Sequence, residues 1–500
     1  MKDIVAFVET PEKIVELMIS LIGKNKFNDK STRILDTGCG KGVFIKHLKN
    51  KSFSEIEGIE LNEELFESCK YDFPEFRFHN TDFLDWESKK KFDVIIGNPP
   101  YAHYNSLPQE LRFKVDQIVK TKESDIYYAF ILRSIELLKE GGELIYIVPY
   151  GFFYNTFAKI VRESLVENGF LEFVIDLDET RLFSGENPET IIFKFIKTNA
   201  LRERNISILR IKRRNLNPNK ICNEAQKTIQ SKTSSDYFEF HKRQMFSLEQ
   251  EVWTTYPEKQ IDNFSLLKDI AWVGVGLVSG FEKVFSINND EKDELNDFEQ
   301  ELLIQLVKAK HCKGYWIEGM TEYFLLDDIV STEQVLKQNY PFIYNKLKPF
   351  KNQMEVRYLP HKKRWFHWQA LRNFSKFQQM IDLPKIFVPN LDRSLTNRFS
   401  LSTKPLFPSG DVLTIIPSKK DPFFLLGYLN SDFFRDYYLS AGARRGHRIS
   451  YTQKIMANIK IPAFDSSVEK KIADITRRIF EEQDISFRNK IDDLILTFLD

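Results

Sequence analysis

Residues 92–101, Phe-Asp-Val-Ile-Ile-Gly-Asn-Pro-Pro-Tyr, restrict the folds open to this chain more than any other stretch. Phe92 to Ile96 is an apolar run of the kind buried in a parallel sheet, and it stops abruptly at a glycine, an amide and two prolines. A rigid polar turn therefore stands at the carboxyl end of a strand, where open α/β sheets bind ligands. The prolines fix their own φ angles and push the preceding residue out of helical space, so the Asn98 side chain and the Pro99 carbonyl are held in one geometry. Neither proline has an N–H to donate. The turn offers acceptors beside the ring of Tyr101, an arrangement that suits a planar ligand carrying an NH2 group.

Earlier strand ends carry acids. Arg33-Ile34-Leu35-Asp36 reads as a short strand running into the glycine-rich turn Thr37-Gly38-Cys39-Gly40-Lys41-Gly42, with a helix after it. Gly38 and Gly40 permit close backbone approach to a ligand. About 20 positions on, a second strand ends in Glu60, placed for a carboxylate that accepts from both hydroxyls of a ribose. A third, Phe76-Arg77-Phe78, leads to Asp82-Phe83, an acceptor for an amine on an aromatic ligand and a ring to pack on it. Ahead of all of these, Thr10 and Pro11 look like the N-cap and first position of an amphipathic helix whose free N–H groups can receive a carboxylate.

After Tyr101 the polar stretch from His103 to Ser124 reads as a mobile flap, and Asp125-Ile126-Tyr127-Tyr128-Ala129-Phe130 opens an apolar helix. A strand from Glu143 to Pro149 follows, then two apolar runs, 170–177 and 190–197, close enough to pair as an antiparallel ribbon. The expected organisation is an α/β, Rossmann-like unit over residues 1–205, a basic and polar junction over 206–252, and an α+β unit over 253–500. Net charge is +1, so any affinity for nucleic acid has to come from local clusters. Two such clusters interleave basic and aromatic residues: one runs from Arg357 to Trp365 and includes Arg364, the other holds Arg444, Arg445 and Arg448. No apolar run approaches the roughly 20 residues of a membrane helix, and the acids near the start interrupt any signal-peptide core, which points to the cytoplasm. Four scattered cysteines give neither a disulfide framework nor a zinc site, so no metal is expected.

The order of these motifs resembles the amino-group DNA methyltransferases of the γ arrangement, the TaqI-like adenine-N6 enzymes of restriction-modification systems. Val8-Glu9-Thr10-Pro11 is similar to that family's amino-terminal cofactor motif, and Asp36 to Phe44 to its glycine-rich motif, although many members have Glu-Pro where this chain has Asp36-Thr37. Glu60 matches the ribose acid, Asp82 and Phe83 the adenine-edge pair, Asn98 to Tyr101 the catalytic tetrapeptide, and Phe130 the residue closing the cofactor pocket. Phe183 sits where the family has a second stacking aromatic. The second half is similar to the family's target-recognition domain through looser motifs, among them Leu426-Gly427-Tyr428 and Ile459 to Pro462.

The resemblance implies S-adenosylmethionine as cofactor, double-stranded DNA as substrate, extrusion of the target adenine, and a separately encoded restriction endonuclease as partner. Two rival readings stand beside it. One is a protein-glutamine N5-methyltransferase, which shares the Asn-Pro-Pro-Tyr turn but needs no basic second half. The other is a non-catalytic subunit of a larger defence complex, which would not need intact cofactor motifs.

Overall fold

The structure is a computed structural model that describes residues 9–499 except 122, 179, 184–188, 201–204, 214–215, 249, 251, 360–362, 442 and 446–447, and only the backbone of 443–445. The chain divides into two compact units, Met1–Glu258 and Lys259–Asp500.

The first unit alternates helices and strands. The sequence runs α1 (Glu12–Ile19), α2 (Lys24–Phe27), β1 (Arg33–Asp36), α3 (Val43–Asn50), β2 (Glu55–Glu60), α4 (Glu63–Asp72), β3 (Arg77–Asn80) and β4 (Phe92–Gly97). It continues with α5 (Gln109–Val119), α6 (Ile126–Leu137), β5 (Leu138–Pro149), α7 (Lys159–Glu167), β6 (Gly169–Asp176), β7 (Thr190–Lys197), β8 (Asn205–Ile211), α8 (Pro218–Ser231) and β9 (Phe238–Gln244). All nine strands join one sheet in the order β3-β2-β1-β4-β5-β7-β6-β8-β9. β1 to β5 are parallel, and β7 runs antiparallel between β5 and β6.

Successive residues of the central strands face opposite ways, so each apolar run serves two cores. Leu35, Ile95 and Leu144 pack under α5, α6 and α7, whereas Ile34, Ile96 and Ile145 pack under α1, α3 and α8. The direction of winding reverses between β1 and β4, which opens a crevice at their carboxyl ends.

Two expectations are corrected. Much of the stretch 206–252 is regular structure of the first unit and not a junction, because β8 pairs in parallel with β6, α8 follows it, and β9 pairs antiparallel with β8. Its basic residues are used internally. Arg210 donates to Glu239 Oε2 at 2.7 Å and lies over the Tyr256 ring at 3.5 Å, Lys212 donates to the Ser235 carbonyl, and Arg243 to those of Thr254 and Tyr256. The stretch 103–124, read as a flap, holds a 3-10 turn (Tyr104–Ser106) and α5, anchored by buried Val115 and Val119, although Lys122 lies outside the described residues.

The second unit is α+β. An antiparallel sheet of Ala271–Val275, Val412–Pro417, Lys385–Pro389 and Ser400–Ser402 forms its core with helices Pro422–Asn430, Ser466–Glu482 and Arg488–Leu499. Gly427 lets two of these helices touch, since a Cβ there would stand 2.1 Å from Thr476 Oγ1. A second four-stranded sheet, 286–287, 321–324, 303–307 and 407–408, and a short ribbon, 391–392, 448–450 and 443–445, complete the unit.

Because β8 covers the edge of β6 and α8 covers α1, the first unit should not fold without them. A fragment of residues 1–258 is expected to melt cooperatively by circular dichroism, and one of residues 1–204 to melt without a sharp transition or at least about 10 °C lower. Equal cooperative transitions for the two fragments would contradict the assignment.

Candidate active site

Asn98 follows the last residue of β4, where the backbone leaves the sheet into Pro99 and Pro100. Its Nδ2 donates to Thr10 Oγ1 at 3.0 Å, which fixes the rotation of the amide and sends its carbonyl oxygen the other way. Thr10 is buried and does not cap α1, where Pro11 holds the N-cap position without a side-chain cap bond. The expected N-cap is thus an orienting acceptor for the amide. Sequence spacing could not find this role, because 88 residues separate the partners.

A cavity of about 570 Å³ opens beside the amide. Thr10, Gly38, Glu60, Asp82, Phe83, Asn98, Pro99, Tyr101 and Phe130 all line it, so it gathers most of the residues singled out in the sequence. Gly38 faces open space, with nothing within 4 Å of where a Cβ would stand. Glu60 is held by the glycine-rich turn: its Oε2 accepts from the Gly40 N–H at 2.9 Å and its Oε1 from the Asn62 N–H at 2.8 Å. Asp36 lies wholly buried next to the turn and accepts from the Gly38 N–H through Oδ1, while its buried Oδ2 has no hydrogen-bond partner among the described residues. Burial pushes its carboxyl up to about 7.

Phe83 and Phe130 pack with ring centroids 4.9 Å apart and form one wall. Asp82 is already engaged, since its Oδ1 accepts from the Leu84 N–H and its Oδ2 pairs with Lys114 from α5 at 3.1 Å. Lys114 also pairs with Asp85, which ties the helix over the cavity. Tyr101 donates its hydroxyl to the Ile147 carbonyl at 2.9 Å, and burial holds that phenol protonated. Phe183 does not line the cavity; it packs in the core, edge-on to Tyr101 with centroids 6.1 Å apart.

Thr37, the departure from the family pattern, has a structural use. Its hydroxyl bonds the Tyr146 hydroxyl at 2.6 Å, and Tyr146 bonds Ser134, whose Oγ donates to the Phe130 carbonyl at 2.7 Å. This buried chain joins the glycine-rich turn to the helix of Phe130. A lone tyrosine inside the apolar run of β5 was the available signal.

In the second unit the basic residues divide. Arg357 donates to the carbonyls of Ser279, Trp365 and His367, and Lys363 pairs with Asp327, so both are structural. Arg364 is exposed and Arg448 half-buried, as a surface contact requires. Arg444 and Arg445 pair in the ribbon through their backbones, and their side chains lie outside the described residues, as do Pro360, His361, Lys362, Gly446 and His447. Among the described residues no cluster of histidine, cysteine and carboxylates is arranged to hold a metal ion.

The buried Asp36 carboxyl has a thermodynamic consequence. Its folded-state affinity for a proton is raised above the unfolded value, so the stability it contributes is full below the ordinary carboxylate range and is lost as pH rises toward about 7. Asp36→Asn removes that loss. The melting temperature of the variant minus that of the wild type is expected to increase between pH 5 and 8, and a difference independent of pH would contradict the burial argument.

Several known proteins are similar to this chain. A model of the Eco57I restriction-modification methylases matches residues 13–183. The type II methyltransferase M.MjaIV of Methanocaldococcus jannaschii is 49% identical over 238 residues, covering 47% of this chain and 80% of that protein. The type II methyltransferase M.HindII of Haemophilus influenzae is 30% identical over 527 residues, covering 96% of this chain and 95% of that protein. Among solved structures, the type IIL restriction-modification enzyme MmeI in complex with DNA matches the fold with a TM-score of 0.63 at 11% identity, over 94% of this chain and 67% of that one. The near-complete overlap with M.HindII extends the relationship through both units, and the chain belongs to the type II methyltransferases of restriction-modification systems.

Proposed function

We propose that this chain transfers a methyl group from S-adenosylmethionine to N6 of an adenine extruded from duplex DNA, as a TaqI-like modification enzyme. The observation that carries the reading is the Asn98 amide, rotated by Thr10 and followed by two residues without N–H groups, at the rim of the cavity. The cavity fits the cofactor. Gly38 leaves room for close approach, Glu60 stands ready for ribose hydroxyls, and Phe83 and Phe130 supply apolar walls for an adenine ring, while Asp36, buried behind the glycine-rich turn, supports that turn through the Gly38 N–H. When bound, the cofactor supplies an electrophilic methyl on a sulfonium.

The remaining chemistry belongs to the chain. An adenine amine is a poor nucleophile because its lone pair is delocalised into the ring. By accepting hydrogen bonds from its two N–H groups, Asn98 Oδ1 and the Pro99 carbonyl favour the pyramidal form, whose lone pair is free to attack the methyl; the N–CH3 bond forms as the S–CH3 bond breaks, and the methylated amine then gives up one proton to water. No side chain has to remove a proton first, and the rate gain comes from positioning and fixed dipoles. Tyr101 is assigned to the face of the extruded base, with Phe183 beside it as support or second platform.

Lys259–Asp500 is assigned to target recognition, with Arg364, Arg444, Arg445 and Arg448 contacting phosphates. A fold shared with an enzyme solved on DNA supports this over protein-glutamine methylation. A separately encoded endonuclease cutting the same sequence, and a cytoplasmic location, complete the proposal. Among the described residues no helix is long and apolar enough to cross a membrane.

Incubation of the protein and duplex DNA with radiolabelled S-adenosylmethionine should leave the label on N6 of adenine. Asn98→Ala is expected to lower kcat roughly 10²-fold, the scale of a lost transition-state hydrogen-bonding group, with little change in DNA affinity. An unaltered kcat, or label on protein, would overturn the assignment.

A further inference from the structure

Leu395 is 91% exposed, more than any other large apolar residue among those described. Isolated exposed leucines are common and need no explanation. This one differs in how firmly it is presented. It stands at the tip of the turn between strands 391–392 and 400–402, and both flanks of that turn are fastened to buried groups. Fully buried Asp392 accepts from the Ser394 N–H at 3.0 Å, and Arg435 donates to the Ser394 carbonyl at 2.7 Å. On the other side buried Asn397 accepts from Tyr451 Oη at 2.6 Å and from Arg435 at 3.1 Å. The turn cannot fold back to cover Leu395, so the exposure is imposed by the structure around it.

The surroundings indicate the partner. Strand 391–392 pairs with 448–450, which pairs with 443–445, so the turn rises from the same ribbon as the hairpin that carries Arg444, Arg445 and Arg448. Arg393, next to the tip, is exposed. Cations of this kind hold phosphates but cannot distinguish sequences. A branched apolar side chain gains nothing from a phosphate, whereas thymine methyl groups and the faces of partly unstacked bases are apolar surfaces within a groove.

We propose that Leu395 contacts the bases of duplex DNA and contributes to sequence discrimination, with the neighbouring arginines holding the backbone. This rests on the assignment of Lys259–Asp500 to DNA recognition. Anisotropy titrations of the full chain would use two fluorescent duplexes, one carrying the sequence found methylated in cells that express the protein, the other a scrambled copy. Leu395→Ala is expected to weaken binding to the first about tenfold, the scale of one lost base contact, and to leave the scrambled duplex and the melting temperature unchanged. Leu395→Met, which keeps an apolar side chain of similar size, should restore most of the preference. Equal affinities for variant and wild type, or an equal loss on both duplexes, would overturn the proposal. If the wild type itself fails to bind any duplex, the assignment of the recognition unit has failed, and this inference falls with it.

Discussion

The site depends on the pairing of β1 with β4. Their parallel register sets Asp36 opposite Ile96, so the two strands end together and the turns that follow them share one crevice. Gly97 keeps this junction uncrowded, since a Cβ there would stand a tight 3.1 Å from Asp36 Oδ1 and in ordinary contact, 3.6 Å, with Thr37 Oγ1 and Tyr146 Cε1. The strand pairing itself brings the glycine-rich turn and the Asn-Pro-Pro-Tyr turn together. From this contact follow the placement of Asn98, the burial of Asp36 and the hydroxyl chain through Tyr146.

Much of this geometry was legible in the sequence because strand ends are local events. An apolar run that stops at Gly-Asn-Pro-Pro, or at Asp-Thr-Gly, identifies a carboxyl end without any knowledge of strand order. A parallel sheet then gathers such ends on one edge. Side chains whose partners lie far along the chain were not legible. Thr10 looked like a helix cap because Thr-Pro is a common cap sequence, and only the fold brings it to Asn98. Lys114 looked like part of a loose flap because α5 is polar on most of its surface, yet two buried valines and the Asp82 pair fasten it.

Charge misled in the same way at 206–252. Arginines and lysines there suggested a solvated connection, but β8 is an added sheet strand whose alternate residues Ile206 and Ile208 are buried, its Arg210 finds an acceptor on β9, and Arg243 of β9 finds one in the segment after it. Basic residues in a strand can satisfy a sheet edge as well as a phosphate. Likewise Arg357 and Lys363 close the loops of the second unit. Discounting such internally paired cations narrows the nucleic-acid surface to fewer arginines than the sequence count implies, consistent with a chain of net charge +1.

The central claim is that the acceptors at Asn98 and Pro99 act on the amine of an adenine in DNA. Sequencing with base-modification detection, applied to DNA from cells expressing the wild-type chain and from cells expressing Asn98→Ala, tests it most directly. The account predicts N6-methyladenine at one recurring sequence in the first DNA and its absence from the second. Unmodified adenines in both, or methylation on another base, would contradict it.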